Sequence, residues 1–237
     1  IMKDIQFVSL GPGEPELVTI KGLRTLQNAD CIFCPATIGK DGKHRSRAKA
    51  LLLDLGISPE QIRTFGLPMN KDRDQALEAY DQIYESALVF QQQDKQVAIV
   101  AEGDSGFYSS IHYIYDRLRN SEKPVSCIPG VPAFIAAGAM IGLHIASQEE
   151  RMIVIPGIVT CTELEDYLKQ KTVVVLMKLS LCTDEVHACI DKHPEYKFHY
   201  FENVGTENEY YSQDTHELQT KSFPYFSLMI IRYSEES

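Results

Sequence analysis

Three apolar runs in this chain each end in a turn built on glycine, and that repetition narrows the fold more than any other feature. Phe7-Val8-Ser9-Leu10 leads into Gly11-Pro12-Gly13-Glu14-Pro15, Val97-Ala98-Ile99-Val100-Ala101 into Glu102-Gly103-Asp104-Ser105-Gly106, and Val125-Ser126-Cys127-Ile128 into Pro129-Gly130-Val131-Pro132. Runs of this kind, interleaved with helical patterns, read as strands of an α/β protein. In open α/β sheets, ligands bind beyond the carboxyl ends of the strands, where glycine lets backbone groups approach closely. One such turn is ordinarily turn geometry alone. Several converging turns predict one site.

Around these runs the pattern predicts helices over 16–28, 46–55, 72–90, 108–119 and 133–141, and further strands over 31–34, 152–155, 173–177, 197–201 and 226–231. The polar stretch Asn120-Ser121-Glu122-Lys123-Pro124 reads as a boundary, giving an N-terminal domain over 1–121 and a strand-richer C-terminal domain over 122–237. A length of 237 residues suits two domains of roughly 100–200 residues each. Ile1 stands ahead of what reads as the initiator Met2 and is given no role.

A net charge of −10 argues against a nucleic-acid partner, which would require concentrated Lys and Arg. No apolar run reaches the roughly 18 residues of a membrane span, and the first residues lack a secretory apolar region, so a cytoplasmic protein without a membrane partner is expected. Its six cysteines fit a reducing compartment. Cys31 and Cys34 form a C-x-x-C inside a strand-like run, which favours packing over redox or zinc chemistry. The set Cys182, His187, Cys189 and His193 has no recognised zinc spacing. No metal is expected.

Gly11-Pro12-Gly13 invites comparison with a dinucleotide fingerprint, but Glu16 occupies its third glycine position, where a carboxylate would repel a pyrophosphate. The second turn carries Asp104, an acceptor for hydroxyl or cationic groups that serves equally as an N-cap of the following helix. Against the acidic background, 40–49 carries Lys40, Lys43, Arg45, Arg47 and Lys49 beside His44, with Asp41 as its one acid. This patch is either a solvated face or a seat for an anionic small molecule.

The opening Phe7-Val8-Ser9-Leu10-Gly11-Pro12-Gly13-Glu14-Pro15-Glu16-Leu17-Val18-Thr19 resembles the tetrapyrrole methylases, with Glu14 where Asp is usual. Ala29-Asp30-Cys31-Ile32-Phe33-Cys34-Pro35, Glu102-Gly103-Asp104 with Phe107-Tyr108, Ile128-Pro129-Gly130-Val131, Ile155-Pro156-Gly157 and Pro224-Tyr225-Phe226-Ser227-Leu228 follow in the family's order. The phrase Cys34-Pro35-Ala36-Thr37, the Glu before Gly103-Asp104 and the stretch 136–146 are most similar to the subgroup that methylates precorrin-2 at C20. The resemblance implies a two-domain α/β fold, each domain a β-sheet flanked by helices, with the active site in the cleft between them. It also implies S-adenosylmethionine as methyl donor, S-adenosylhomocysteine as product, an anionic tetrapyrrole substrate and a homodimer.

The donor residues implied are Pro12, Glu102, Gly103, Asp104, Phe107, Pro132, Ala133, Met177 and Gly205. Pro132 departs from the Ser or Thr common in the family, and with it goes a side-chain hydroxyl. No catalytic base is assigned; His44, Glu102 and Tyr108 are candidates to assist proton removal. Methylation at another ring position, a protein acceptor as in diphthine synthase, and a non-catalytic tetrapyrrole or nucleoside sensor are the alternatives. A precorrin carries eight carboxylates, which gives Lys40, Lys43, Arg45 and Arg47 a reason to be substrate-binding. The double substitution Arg45→Glu with Arg47→Glu is therefore expected to weaken tetrapyrrole binding while leaving donor affinity intact, and equal loss of both in titrations would remove the patch from the site.

Overall fold

The computed structural model describes residues 2–38, 44–68 and 73–233, and it divides into two compact units, 1–132 and 133–237. In the first unit β1 (Ile5–Ser9), β2 (Cys31–Ile38), β4 (Ile62–Pro68), β5 (Val97–Ala101) and β6 (Val125–Ile128) run parallel, and the two-residue β3 (His44–Arg45) pairs antiparallel to β2. Among the described residues the order is β3-β2-β5-β1-β6, with β4 also on β2. Both faces of a parallel sheet need covering, which is why these strands read as unbroken apolar runs.

Alternate strand residues serve the two faces. Val8, Ile32, Cys34, Ala98 and Val100 pack with Val18, with Leu26 of α1 (Ile20–Asn28), and with Ala48, Leu51 and Leu52 of α2 (Arg47–Asp54). Phe7, Cys31, Phe33 and Ile99 pack with Tyr80, Ile83 and Ala87 of α3 (Arg73–Gln92) and Ile114 and Leu118 of α4 (His112–Asn120). Cys31 and Cys34 thus belong to opposite cores, as residues three apart on a strand must. Both are buried free thiols.

β6 joins the first sheet beside β1, and so the division of the chain falls after Pro132 rather than at the polar stretch around residue 121. Two helix starts differ from the sequence expectation. Val18 is extended and Thr19 caps α1 by accepting from the Gly22 amide at 3.1 Å, so the helix begins at Ile20. Tyr108 takes a left-handed conformation, φ 51°, and α4 begins only at His112.

In the second unit, α5 (Ala133–Met140) precedes a sheet ordered β10-β9-β11-β8-β7 among the described residues, from β7 (Arg151–Ile155), β8 (Thr172–Met177), β9 (Lys197–Glu202), β10 (Tyr210–Ser212) and β11 (Ser227–Arg232). Val174, Leu176, Tyr200 and Met229 form a core with Leu164 and Leu168 of α6 (Cys161–Lys169) and Val186 and Ile190 of α7 (Thr183–Lys192). β3, β4, β10, α6, α7 and the short α8 (Thr215–Leu218) have no counterpart among the elements expected from the sequence. For α6 the signal was present, since Thr160 and Glu163 form a reciprocal capping box. Cys182 and Cys189 are buried in this core, whereas His187 contacts the Lys221 carbonyl and His193 pairs with Glu165 and Glu195. Among the described residues no group of three or more His, Cys, Asp or Glu forms a metal-binding cluster, and no helix is long and apolar enough to cross a membrane.

Arg232, at the end of β11, ties down the connection that follows α5. Its guanidinium donates to the carbonyls of His144 and Ile145 and meets Glu150 at 2.7 Å, while Tyr233 and the Ser147 amide also donate to Glu150. Burial alone would raise the Glu150 carboxyl, but Tyr233, Ser147 and Arg232 together hold it down at about 2. A depressed carboxyl contributes stability above its unfolded value near 4.5 and loses it as pH falls toward 2. Glu150→Gln is expected to lower unfolding stability by about 2–4 kcal/mol at pH 7 and to flatten the decline between pH 5 and 2. Urea titrations across that range check both effects.

Candidate functional site

Parallel neighbours place their carboxyl ends on one edge, so the turns after β5, β1 and β6 lie side by side as a consequence of strand order. Gly11 and Gly103 exchange a reciprocal pair of backbone hydrogen bonds, at 3.0 and 2.7 Å, which join the first two turns. Asp104 brings in the third: one carboxylate oxygen accepts from the Gly130 amide at 2.8 Å and the other from the Gly106 amide at 2.9 Å. With α4 starting at His112, Asp104 is a bracket between turns rather than a helix cap.

Below them Ser9 and Ser105 are buried, and the Ser9 hydroxyl accepts from the Ser105 amide at 2.8 Å. This pair escaped the sequence reading; its one trace is a polar residue closing an apolar strand. The backbone at Gly130 is the tightest point. A Cβ there would stand 2.6 Å from the Ser9 Cβ and 2.7 Å from the Gly103 carbonyl oxygen. Gly103 is the reverse case, with φ 68° and, beyond its own chain neighbours, no protein atom within 4 Å of where a Cβ would be. Its face is open to a ligand.

These bonds decide what the edge can hold. The amides of Gly11, Gly103, Ser105, Gly106 and Gly130 are all engaged within the junction, so they form no phosphate cradle. Asp104 keeps lone pairs beyond the two it uses, suited to hydroxyl or cationic groups. A nucleoside sulfonium fits such a surface better than a nucleotide.

The described half of the basic segment reaches the same edge. β4 lines β2 from Ile32 to Ile38, so β5 at Cys31–Phe33 and β3 at Thr37–Ile38 share the other side of β2. Register sets His44–Arg45 beyond the end of β5. Arg47, the first residue of α2, comes within 3.9 Å of Glu102. Burial pushes the Glu102 carboxyl up, opposed by Arg47 and a hydrogen bond from the Ala48 backbone. Both side chains remain about a third exposed, a setting in which an ion pair adds little stability. Nearby, burial pushes the Cys34 thiol up to about 11, leaving no thiolate nucleophile at neutral pH.

Of the residues singled out in the sequence, Pro12, Glu102, Gly103, Asp104, Phe107, Pro132, Arg45 and Arg47 lie in the first unit, with Pro12 buried and Pro132 closing it. Lys40 and Lys43 lie outside the described residues, as does the side chain of His44. Ala133 opens α5, Met177 closes β8, and Gly205 lies in the turn after β9, all in the second unit. There β7, β8 and β9 run the same way, so their following turns also share an edge. Gly157 sits so close to Met177 and Lys178 that a Cβ would come within 2.5 Å of the Lys178 carbonyl oxygen.

Residues 4–218 match the family described as tetrapyrrole (corrin/porphyrin) methylases. A probable cobalt-precorrin-2 C(20)-methyltransferase of Methanocaldococcus jannaschii is 26% identical over 75% of this chain and 73% of its own. A precorrin-2 C(20)-methyltransferase of Sinorhizobium sp is 26% identical over 94% of this chain and 93% of its own. Among solved structures, a cobalt precorrin-4 methyltransferase superposes with TM-score 0.71 at 18% identity, covering 97% of this chain and 94% of its own. A uroporphyrin-III C-methyltransferase of Thermus thermophilus, in complex with S-adenosylhomocysteine, gives 0.67 at 18% identity over 97% of each chain.

Gly130→Ala tests the junction. The added methyl is expected to cost about 1–3 kcal/mol in denaturant unfolding and to weaken S-adenosylhomocysteine binding measured by calorimetry, since all three turns must shift to admit it.

Proposed function

Because the chain belongs to the tetrapyrrole (corrin/porphyrin) methylases, we propose that it is an S-adenosylmethionine-dependent C-methyltransferase of corrin biosynthesis that methylates precorrin-2, or its cobalt form, at C20. The observation that carries this reading is the carboxyl edge of the first sheet, where an acidic junction whose glycine amides at 11, 103, 106 and 130 are engaged lies beside the cationic start of α2. The junction suits a positively charged donor, and the cations suit an acceptor rich in carboxylates. The C20 methyltransferases among the relatives, alike over most of this chain, support the ring position.

S-adenosylmethionine supplies the methyl group and departs as S-adenosylhomocysteine. The protein's part is to hold donor and acceptor in line, since well-oriented pairs reach effective molarities of about 10⁵–10⁸ M. We assign donor contacts to Pro12, Glu102, Gly103, Asp104, Phe107 and Pro132 of the first unit and to Ala133, Met177 and Gly205 of the second. Lys40, Lys43, Arg45 and Arg47 are assigned to the substrate's carboxylates. The electron-rich meso carbon makes no demand for a protein nucleophile. We place the enzyme in the cytoplasm as a homodimer without nucleic-acid or membrane partners, a reading that the net charge of −10 supports for nucleic acid.

Partial similarity to precorrin-4 C(11)-methyltransferases, 27% identity over 61% of this chain in the Pseudomonas aeruginosa protein, keeps a second ring position in view. Incubation of the protein with methyl-labelled donor and either metal-free or cobalt-bearing precorrin-2, followed by NMR of the product, separates them. Label at C20 is expected; label at another carbon, or none on any tetrapyrrole, would overturn the assignment.

A further inference from the structure

Six non-glycine residues among those described hold a positive φ: Asp94, Tyr108, Glu122, Lys171, Lys178 and Asn203. Asp94, Glu122 and Lys171 each stand just past the end of a helix, α3, α4 and α6, where a left-handed residue lets the turn satisfy the last carbonyls. The other three stand beyond the carboxyl ends of β5, β8 and β9. Asn203 has a residue type that tolerates this conformation, and Lys178 has an unbranched side chain at the close approach of Gly157. Tyr108 is different. It is bulky, ends no helix and is 45% exposed as a residue, so burial does little to offset the backbone cost.

The ring of Phe107 meets that of Tyr108 edge-on, with centroids 4.7 Å apart and planes 65° apart. The two residues follow the Asp104 junction directly, on the edge that also carries Arg47 and Glu102. Residues held in sparsely populated backbone conformations cluster at ligand-binding sites, where the surrounding structure imposes them. We infer that Tyr108 is a substrate-contacting residue, its exposed ring forming a wall against the pyrrole faces of the tetrapyrrole while the nearby cations take the carboxylates. Aromatic faces attract conjugated rings with no demand for hydrogen-bond matching. This inference rests on the methyltransferase reading above and assigns Tyr108 to the acceptor rather than the donor.

The test compares Tyr108→Gly, Tyr108→Ala and Tyr108→Phe in the full chain. A left-handed site favours glycine over alanine, so the Gly variant is expected to unfold at higher urea than the Ala variant. In the labelled-methyl assay, KM for precorrin-2 is expected to rise roughly tenfold in both Gly and Ala variants, with kcat changed less and with most of the affinity restored in the Phe variant. The S-adenosylhomocysteine Kd by calorimetry is expected to stay within about twofold of the unsubstituted protein. An unchanged precorrin-2 KM in the Gly variant sinks the inference alone, as does a donor-product affinity that falls in step with KM. An unsubstituted protein that methylates no tetrapyrrole defeats both the inference and the reading on which it rests.

Discussion

The exchange of hydrogen bonds between Gly11 and Gly103, extended to Gly130 by Asp104, is the constraint from which the rest of the first unit's chemistry follows. It depends on three parallel strands being neighbours, because only then do turns distant in sequence come within bonding distance. It depends equally on glycine at 130, where a side chain would enter the space of Ser9 and Gly103. With the amides of Gly11, Gly103 and Gly130 bonded to carbonyl and carboxylate oxygens within the junction, these three are no longer donors for a ligand, while Asp104 keeps acceptor capacity. That inversion separates it from a phosphate-binding turn built of similar residues.

Charge placement follows the same logic. Arg47 lies in the first turn of α2, where the helix dipole disfavours a cation, and Lys49 lies two residues on. Glu102 offsets part of this through its approach to Arg47 and its bond from Ala48. A carboxylate held half-buried against its own desolvation, beside cations on the unfavourable end of a helix, is a poor device for stability. The cations it accompanies are the ones we propose for the substrate's carboxylates.

The second unit repeats the principle with different parts. β7, β8 and β9 deliver their turns to one edge, Gly157 admits the chain at Met177 and Lys178, and Asn203 turns left-handed where β9 ends, its amide donating to Phe226 at 2.9 Å. Away from that edge the unit is held conventionally, by apolar packing and by the clamp of Arg232 on Glu150. In both units the left-handed non-glycine residues that no helix end explains lie in the connections that follow strands, Lys178 and Asn203 directly after β8 and β9 and Tyr108 seven residues after β5.

Much of this was legible without coordinates. Strand runs, their turn glycines and the paired α/β organisation are local properties, fixed by periodicity and by the few residue types that accept a tight turn, and the ordered motifs carried the family. Elements with weaker local signals were lost, such as β4, which alternates poorly and ends at Gly66 and Pro68, and the three-residue β10. What only tertiary structure decided was who meets whom. Asp104 bonds across 26 residues to Gly130 and Ser9 across 96 to Ser105, distances that no local pattern encodes because they depend on which strands pack side by side. The left-handed angle at Tyr108 belongs to the same class: tyrosine has no intrinsic preference for it, so the surrounding turns must impose it.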